Sequence, residues 1–536
     1  MRVSKSLKNI SVVAAATMVS RVLGLGRDML VTAVFGLGPW ASAFYAAFTL
    51  PNLFRRLLGE GALTAALVPT LHEELKARER VGAFALVNQV ASWLFVATGG
   101  IVVLAMAVFL QTEWLADAAR AGGWGAETVQ RFLRAADLAV VLFPYLVLVC
   151  LAAAFSAALQ TLQRFLEPAL SPIWLNLSMI GLLGGAVYAG WSPTAESRMQ
   201  WLCAGVLLGG FLQMLVPALA LRREGWQPRF DLSLGAALRQ IGRLMGPTIF
   251  GSAIYLINLA VSRIIGLSLN DSAVTVLNLA TRLMELPIGV FAVAISTVVF
   301  PLIAKYAAAG DTAGLAMAYR KGMRLILVIN VPAAVGLVVL AVPIIRLLFE
   351  RGAFVAADTA EMQPVLAVYA AGLPVFAFVN LVLRAFYAQK DTVTPVRAAL
   401  LSFIVNLLLS VVLMGRWGTV GLAVAGNVAI VVQAWYLQRA LASKHDALRF
   451  HHLAGDLVKV IVASGIMGVM VAAGWWSWLR MVAVSRATDA VALLLLISAG
   501  VTVYVALMWA LKIEGRDDVA AIVAKARHRR SGGEQR

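Results

Sequence analysis

The chain has 536 residues, of which 61% are hydrophobic and only 13% charged, with a formal net charge of +18. A soluble protein of this length cannot hide so much apolar side chain, so composition excludes a water-soluble enzyme or nucleic-acid-binding domain and defines a polytopic membrane protein. The basic excess then reads as the Lys/Arg bias of cytoplasmic loops, and no nucleic-acid partner is expected.

The first apolar stretch, 10–36, follows a basic N-terminus, as in a signal peptide. It is too long for one and carries Arg21, Arg27 and Asp28, so it is expected to persist as a first span. Gly24 and Gly26 lie between those charges. The second stretch, 42–70, holds Arg55, Arg56 and Glu60. Stretches at 82–110, 135–159, 168–189, 200–221, 241–267, 272–304, 323–345, 362–383, 398–414, 420–438, 460–477 and 489–511 bring the expected total to about fourteen transmembrane helices. The eighth carries Arg282, Glu285, Pro287 and Gly289.

An even number of spans places both termini on one side. Loops on that side hold about 30 of the 45 basic residues and the opposite loops about 9, which makes that side the cytoplasm. Clusters such as Lys76/Arg78/Arg80 and Arg222/Arg223 therefore face inward. Cys150 and Cys203 lie in apolar segments and form no ligand cluster, and the histidines fall in polar loops or the tail. No metal or cofactor is expected, and no phosphate-binding Gly-Lys loop occurs.

Charge inside the spans is the informative feature. A guanidinium at bilayer depth costs about 2.5–3.5 kcal/mol even on the mildest insertion scale. Arg56 and Glu60 are i,i+4 neighbours and Arg282 and Glu285 are i,i+3 neighbours, spacings that suit ion pairs on one helix face. Arg21, Arg27 and Arg55 have no carboxylate at such a spacing. One reading pairs them with carboxylates on other helices. The other gathers them in a hydrated cationic cavity for an anionic substrate, since a planar guanidinium donates parallel hydrogen bonds to phosphate oxygens and keeps its charge at any working pH. Gly24 and Gly26, and Pro287 and Gly289, read either as hinges beside the charges or as ordinary close helix packing.

Two matches share one offset. Arg56 and Arg282 stand roughly 226 residues apart, and Leu162-Gln163-Arg164 before Pro168 resembles Ala388-Gln389-Lys390 before Pro395 at roughly 227. A duplication is expected: a six-helix lobe over 1–222, a second over 223–440, two extra helices over 441–511 and a basic cytoplasmic tail over 512–536.

At these residues the chain resembles the MurJ/MviN family, the lipid II flippases of bacterial peptidoglycan synthesis. The matching segments are Ser20-Arg21-Val22-Leu23-Gly24 with Arg27-Asp28, and Leu50-Pro51-Asn52-Leu53-Phe54-Arg55-Arg56 with Glu60-Gly61-Ala62. Arg282-Leu283-Met284-Glu285, Leu348-Phe349-Glu350-Arg351-Gly352-Ala353-Phe354, and Phe386-Tyr387 with Asp391-Thr392 and Thr394-Pro395 extend the match along the chain. The resemblance implies an all-α integral membrane fold of two pseudo-symmetric six-helix lobes plus two C-terminal helices, within the multidrug/oligosaccharidyl-lipid/polysaccharide exporter superfamily. It implies residence in the bacterial cytoplasmic membrane, lipid II as substrate, membrane lipids and cell-wall synthesis proteins as partners, and a groove for the polyprenyl tail at the last two spans. Carried over residue by residue, the substrate set is Arg21, Arg27, Arg55 and Arg282, supported by Asp28, Arg56, Glu60, Glu285 and Thr275. Ser42 and Thr49 stand where relatives often carry charged residues, so a charge pair there is not expected. Span seven has no carboxylate between 241 and 267, which argues against sodium coupling.

Two other readings stay open at the level of sequence. One is a related exporter of another polyprenyl-diphosphate-linked glycan. The other is a membrane enzyme acting on lipid diphosphates, which would want paired carboxylates with a metal, or histidines, at the interface. Glu350 and Asp391 each stand alone near loops.

Overall fold

The computed structural model describes residues 2–54, 63–389, 391–444, 448–449, 454–483 and 485–514. Among these residues all regular structure is helical, in sixteen elements. Eight described helices are long and apolar enough to cross a membrane, or nine if one bent pair is a single span. The fourteen expected segments fall on helix but for isolated end residues, two breaks, and residues 55–62, which lie outside the described residues. The chain divides into two compact units, one reaching Thr275 and including Arg351–Phe354, the other Val276–Glu350 and the described residues from Val355 onward.

The N-terminal unit contains α1 (Arg2–Phe35), α2 (Pro39–Phe54), α3 (Leu63–Phe109), α4 (Thr112–Ala121), α5 (Ala126–Leu142), α6 (Tyr145–Thr161), α7 (Leu166–Tyr188), α8 (Ala195–Arg223) and α9 (Ala236–Leu269). At about 1.5 Å per residue a straight α3 would reach about 70 Å, more than twice the ~30 Å hydrocarbon thickness. It breaks at Arg78 and Glu79, where φ turns to +53°, inside a charged run that water can solvate. The arms fold back, so that Leu67 and Leu71 share a core with Leu86, Val87 and Val90. The segment expected as one span at 135–159 is two helices, α5 and α6, bent by 45°. Pro144 at the joint has no N–H to continue the ladder.

α7 and α8 approach closely because Gly205 and Gly209 lie four apart on one face. A Cβ on either would stand 2.8 Å from a Cα of α7, at Met179 and Leu175. Tyr145 and Gln213 find partners inside this packing: the Tyr145 hydroxyl donates to Gln213 Oε1 at 3.1 Å, and Gln213 Nε2 donates to the Ser171 carbonyl at 2.9 Å. After α6, Arg164 binds Glu167 and, at 2.9 Å, Glu224 at the end of α8. Arg351–Phe354 belongs to this unit because Ala353 N–H donates to the Ala33 carbonyl of α1 at 2.8 Å. The fit needs two left-handed glycines, Gly36 (φ +61°) and Gly352 (φ +59°), each placed where a Cβ would strike the other segment's backbone.

The C-terminal unit holds most of α10 (Ala273–Ala308), then α11 (Thr312–Val339), α12 (Ala341–Phe349), α13 (Ala356–Ala388), α14 (Val393–Lys444), α15 (Ala454–Met481) and α16 (Arg486–Ala510). α14 also exceeds one membrane thickness and turns at Gly418 (φ +55°), folding back so that Ser402 Oγ donates to the Ala429 carbonyl at 3.2 Å. In the loop ahead of α14, Asp391 takes Lys444, at the far end of the returning arm, at 2.6 Å. Tyr319 likewise donates to Gln438 Oε1 at 2.5 Å. The last two helices pack on α11 through Val335, Met467 and Val471, and Tyr504 donates to the Val328 carbonyl at 2.7 Å. Ion pairs Arg324–Asp456 at 2.8 Å and Arg346–Asp489 at 2.9 Å fix their first turns. Their outer faces expose Val469, Leu494 and Val501, as a helix side bathed in hydrocarbon should.

Candidate functional site

α1 carries two of the cations that the sequence singles out, Arg21 and Arg27. It runs as one helix through Gly24 and Gly26, with no break beside the charges. Gly24 is buried, and no atom lies within 4 Å of where a Cβ on Gly26 would stand. Arg21 is exposed and, among the described residues, has no hydrogen-bond or ion-pair partner. A guanidinium without a carboxylate on an apolar helix keeps its full capacity for an external anion.

Arg27 is held instead. Its Nε and Nη2 donate to Asp28 Oδ1 at 3.0 and 2.7 Å, and its Nη1 donates to Asn176 Oδ1 at 3.1 Å. Asn176, on α7, also donates through Nδ2 to the Ser20 carbonyl at 3.2 Å. This corrects the expectation that Arg27 lacks a local partner. Helical spacing considers i+3 and i+4 neighbours, whereas the long Arg27 stem turns sideways to its immediate neighbour. Asp28 is fully buried, so the pair compensates a carboxylate that would be costly alone. Asn176 is the partner of Arg27 that sequence reasoning missed. Its signal was a lone amide in an otherwise apolar span.

On α10, Arg282 Nη1 stands 3.6 Å from Glu285 Oε2, the i,i+3 pair that spacing predicts, and both side chains are partly exposed. Such a loose, solvated pair leaves the guanidinium able to exchange partners. α10 runs without a break through Pro287 and Gly289, although Pro287 forfeits the bond to the Leu283 carbonyl. Thr275, also on α10, is fully buried and its hydroxyl meets Ser42 Oγ at 2.9 Å, while its N–H donates to the same oxygen at 3.3 Å. Ser42 thus stands in a neutral pair. Thr49 donates to the Tyr45 carbonyl within its own helix at 2.6 Å. Arg55, Arg56 and Glu60 lie outside the described residues.

Long apolar helices with ionised side chains on them define a class, the polytopic membrane proteins. Residues 31–495 match the family described as lipid II flippase MurJ. The chain is 34% identical to the probable lipid II flippase MurJ of Rhizobium tropici, over 86% of each sequence. In fold it is similar to a solved lipid II flippase MurJ in an inward closed conformation, with a TM-score of 0.73 at 24% identity, covering 95% of this chain and 99% of that one. It also shares the fold of an inward-facing multidrug resistance MATE transporter of the MOP superfamily, with a TM-score of 0.63 at 15% identity over 80% and 95% of the two chains. The chain belongs to the lipid II flippase MurJ family.

Proposed function

We propose that the chain is a transporter, not an enzyme: a flippase that moves lipid II, the undecaprenyl-diphosphate-linked peptidoglycan precursor, from the inner to the outer leaflet. Family membership over residues 31–495 carries the reading. Arg21 on α1, which has no partner among the described residues, supports it chemically. Arg21, Arg27, Arg55 and Arg282 are the proposed contacts to the diphosphate, whose oxygens match the donor fork of a guanidinium. Asp28 and Glu285 hold Arg27 and Arg282 in place between turnovers, with Glu60 and its i,i+4 neighbour Arg56 in supporting roles. The termini are proposed to be cytoplasmic, the lobes to span 1–222 and 223–440, and α15 with α16 to take the polyprenyl tail. Proteins of cell-wall synthesis are proposed partners.

No bond is made or broken in this process, so the work is binding and reorientation. An inside-negative potential is worth about 2.3 kcal/mol per charge per 100 mV and favours outward passage of an anion, or inward return of a cationic site. Binding tests the reading. Purified protein in native mass spectrometry should retain lipid II, undecaprenyl diphosphate should displace it, and the uncharged polyprenol should not. Equal displacement by the polyprenol would show that the diphosphate is not what is recognised.

A further inference from the structure

At the end of the N-terminal unit where α3 gives way to α4, helices α2, α4, α5 and α9 enclose a cavity of about 500 Å3. That size is ordinary for a small-ligand site. Eight of its lining residues are alanines, including Ala46 and Ala47 on α2, Ala135 and Ala136 on α5, and Ala260 on α9. Between membrane helices small residues usually let backbones close on one another. Here they face a common space, bounded further by the Trp124 and Phe132 rings, whose centroids are 4.5 Å apart.

α4 covers the cavity. Its Trp114, Leu115 and Ala118 line it, while Asp117 and Arg120 pair in solvent at 3.0 Å. Trp114 and the adjoining Leu110 are each 62% exposed. An amphipathic helix with an exposed tryptophan, following directly on a spanning helix, belongs at the membrane–water boundary. The cavity therefore stands within reach of a bilayer chain. Among the described lining residues the charged one is Arg263, whose Nη1 donates to the Val274 carbonyl at 3.1 Å.

We propose that this cavity binds an anionic membrane amphiphile, with its hydrocarbon chain among the alanines and its headgroup toward Arg263. A soluble anion would waste the apolar walls, and a neutral hydrocarbon would waste the fixed cation. Both an acidic phospholipid and a fatty acid have this chemistry. Arg21, Arg27 and Arg282, the described members of the proposed diphosphate set, do not line it.

Photo-crosslinking of the full chain in vesicles tests the proposal, with three diazirine-palmitoyl probes: phosphatidylglycerol, phosphatidylcholine and palmitic acid itself. Peptides covering residues 112–142 and 260–267 should be labelled by phosphatidylglycerol or palmitate in preference to phosphatidylcholine, and whichever anion labels identifies the source. Ala136→Phe should abolish that labelling while leaving label on the bilayer face of α16 unchanged. Arg263→Gln should cut the anionic preference about tenfold. Should Ala136→Phe fail to fold, Ala260→Leu replaces it. Equal labelling by all three probes, or labelling indifferent to both cavity-filling variants, overturns the proposal.

Discussion

Arg27 on α1 and Asn176 on α7 are joined by a 3.1 Å hydrogen bond, and the same amide takes the Ser20 carbonyl at 3.2 Å. One side chain therefore orients a cation and ties the backbone of its helix to a neighbour. A residue in that place sets where the guanidinium points without adding charge of its own.

Replacing Asn176 with alanine should leave Arg27 on Asp28 alone and widen its range of orientations. Lipid II transport in reconstituted vesicles should fall several-fold with the amount of folded protein unchanged. Asn176→Asp should be worse, because a second carboxylate would neutralise the cation. Equal transport by the wild type and both variants would show that the amide has only a packing role.

Arg21 and Arg27 should separate in stability. Arg27→Ala breaks the ion pair to the Asp28 carboxylate, 1% exposed, at a cost of about 3–5 kcal/mol typical of a broken buried pair. Arg21→Ala removes no hydrogen bond or ion pair to any described residue and should fall within about 0.5 kcal/mol of the parent. Thermal unfolding in detergent should show a large drop for Arg27→Ala and almost none for Arg21→Ala, while both weaken lipid II binding.

The buried hydroxyl pair should be coupled. Ser42→Ala or Thr275→Val alone leaves its partner unpaired at a cost of about 1–3 kcal/mol, and the double variant should cost less than the two combined. A double-mutant cycle on melting temperature measures this, and strict additivity would mean that the 2.9 Å contact carries no energy.

Acid stability should depend on Asp391. Burial raises this carboxyl, but donation from Lys444 and from the Thr394 N–H and hydroxyl outweighs it and holds the group down at about 2. An unfolded aspartate titrates near ~3.9, so folding favours the ionised form. The contribution is complete above about pH 4 and is lost as pH falls toward about 2. The melting-temperature difference between wild type and Asp391→Asn should shrink across that window, and Lys444→Met should move the loss to higher pH.

The fold was largely legible because hydropathy reports span length directly, and each apolar run found a helix. The Arg282–Glu285 pair was legible because both residues sit on one helix. What spacing could not reach were partners brought together by packing. Arg27 and Asn176 are 149 residues apart, and Ser42 and Thr275 are 233 apart. Nor does hydropathy mark where a long apolar run reverses. Gly418 does so with a left-handed φ, and at Arg78–Glu79 only the charge run hinted at a break.

Transport by the arginine variants decides whether these guanidiniums grip the diphosphate. Cells carrying Ala at position 21, 27, 55 or 282, with each protein at wild-type level in the membrane, should deliver markedly less lipid II to the outer leaflet, about tenfold less for each lost charge-assisted contact. Undiminished delivery by all four variants would mean that the substrate is held by something other than these cations.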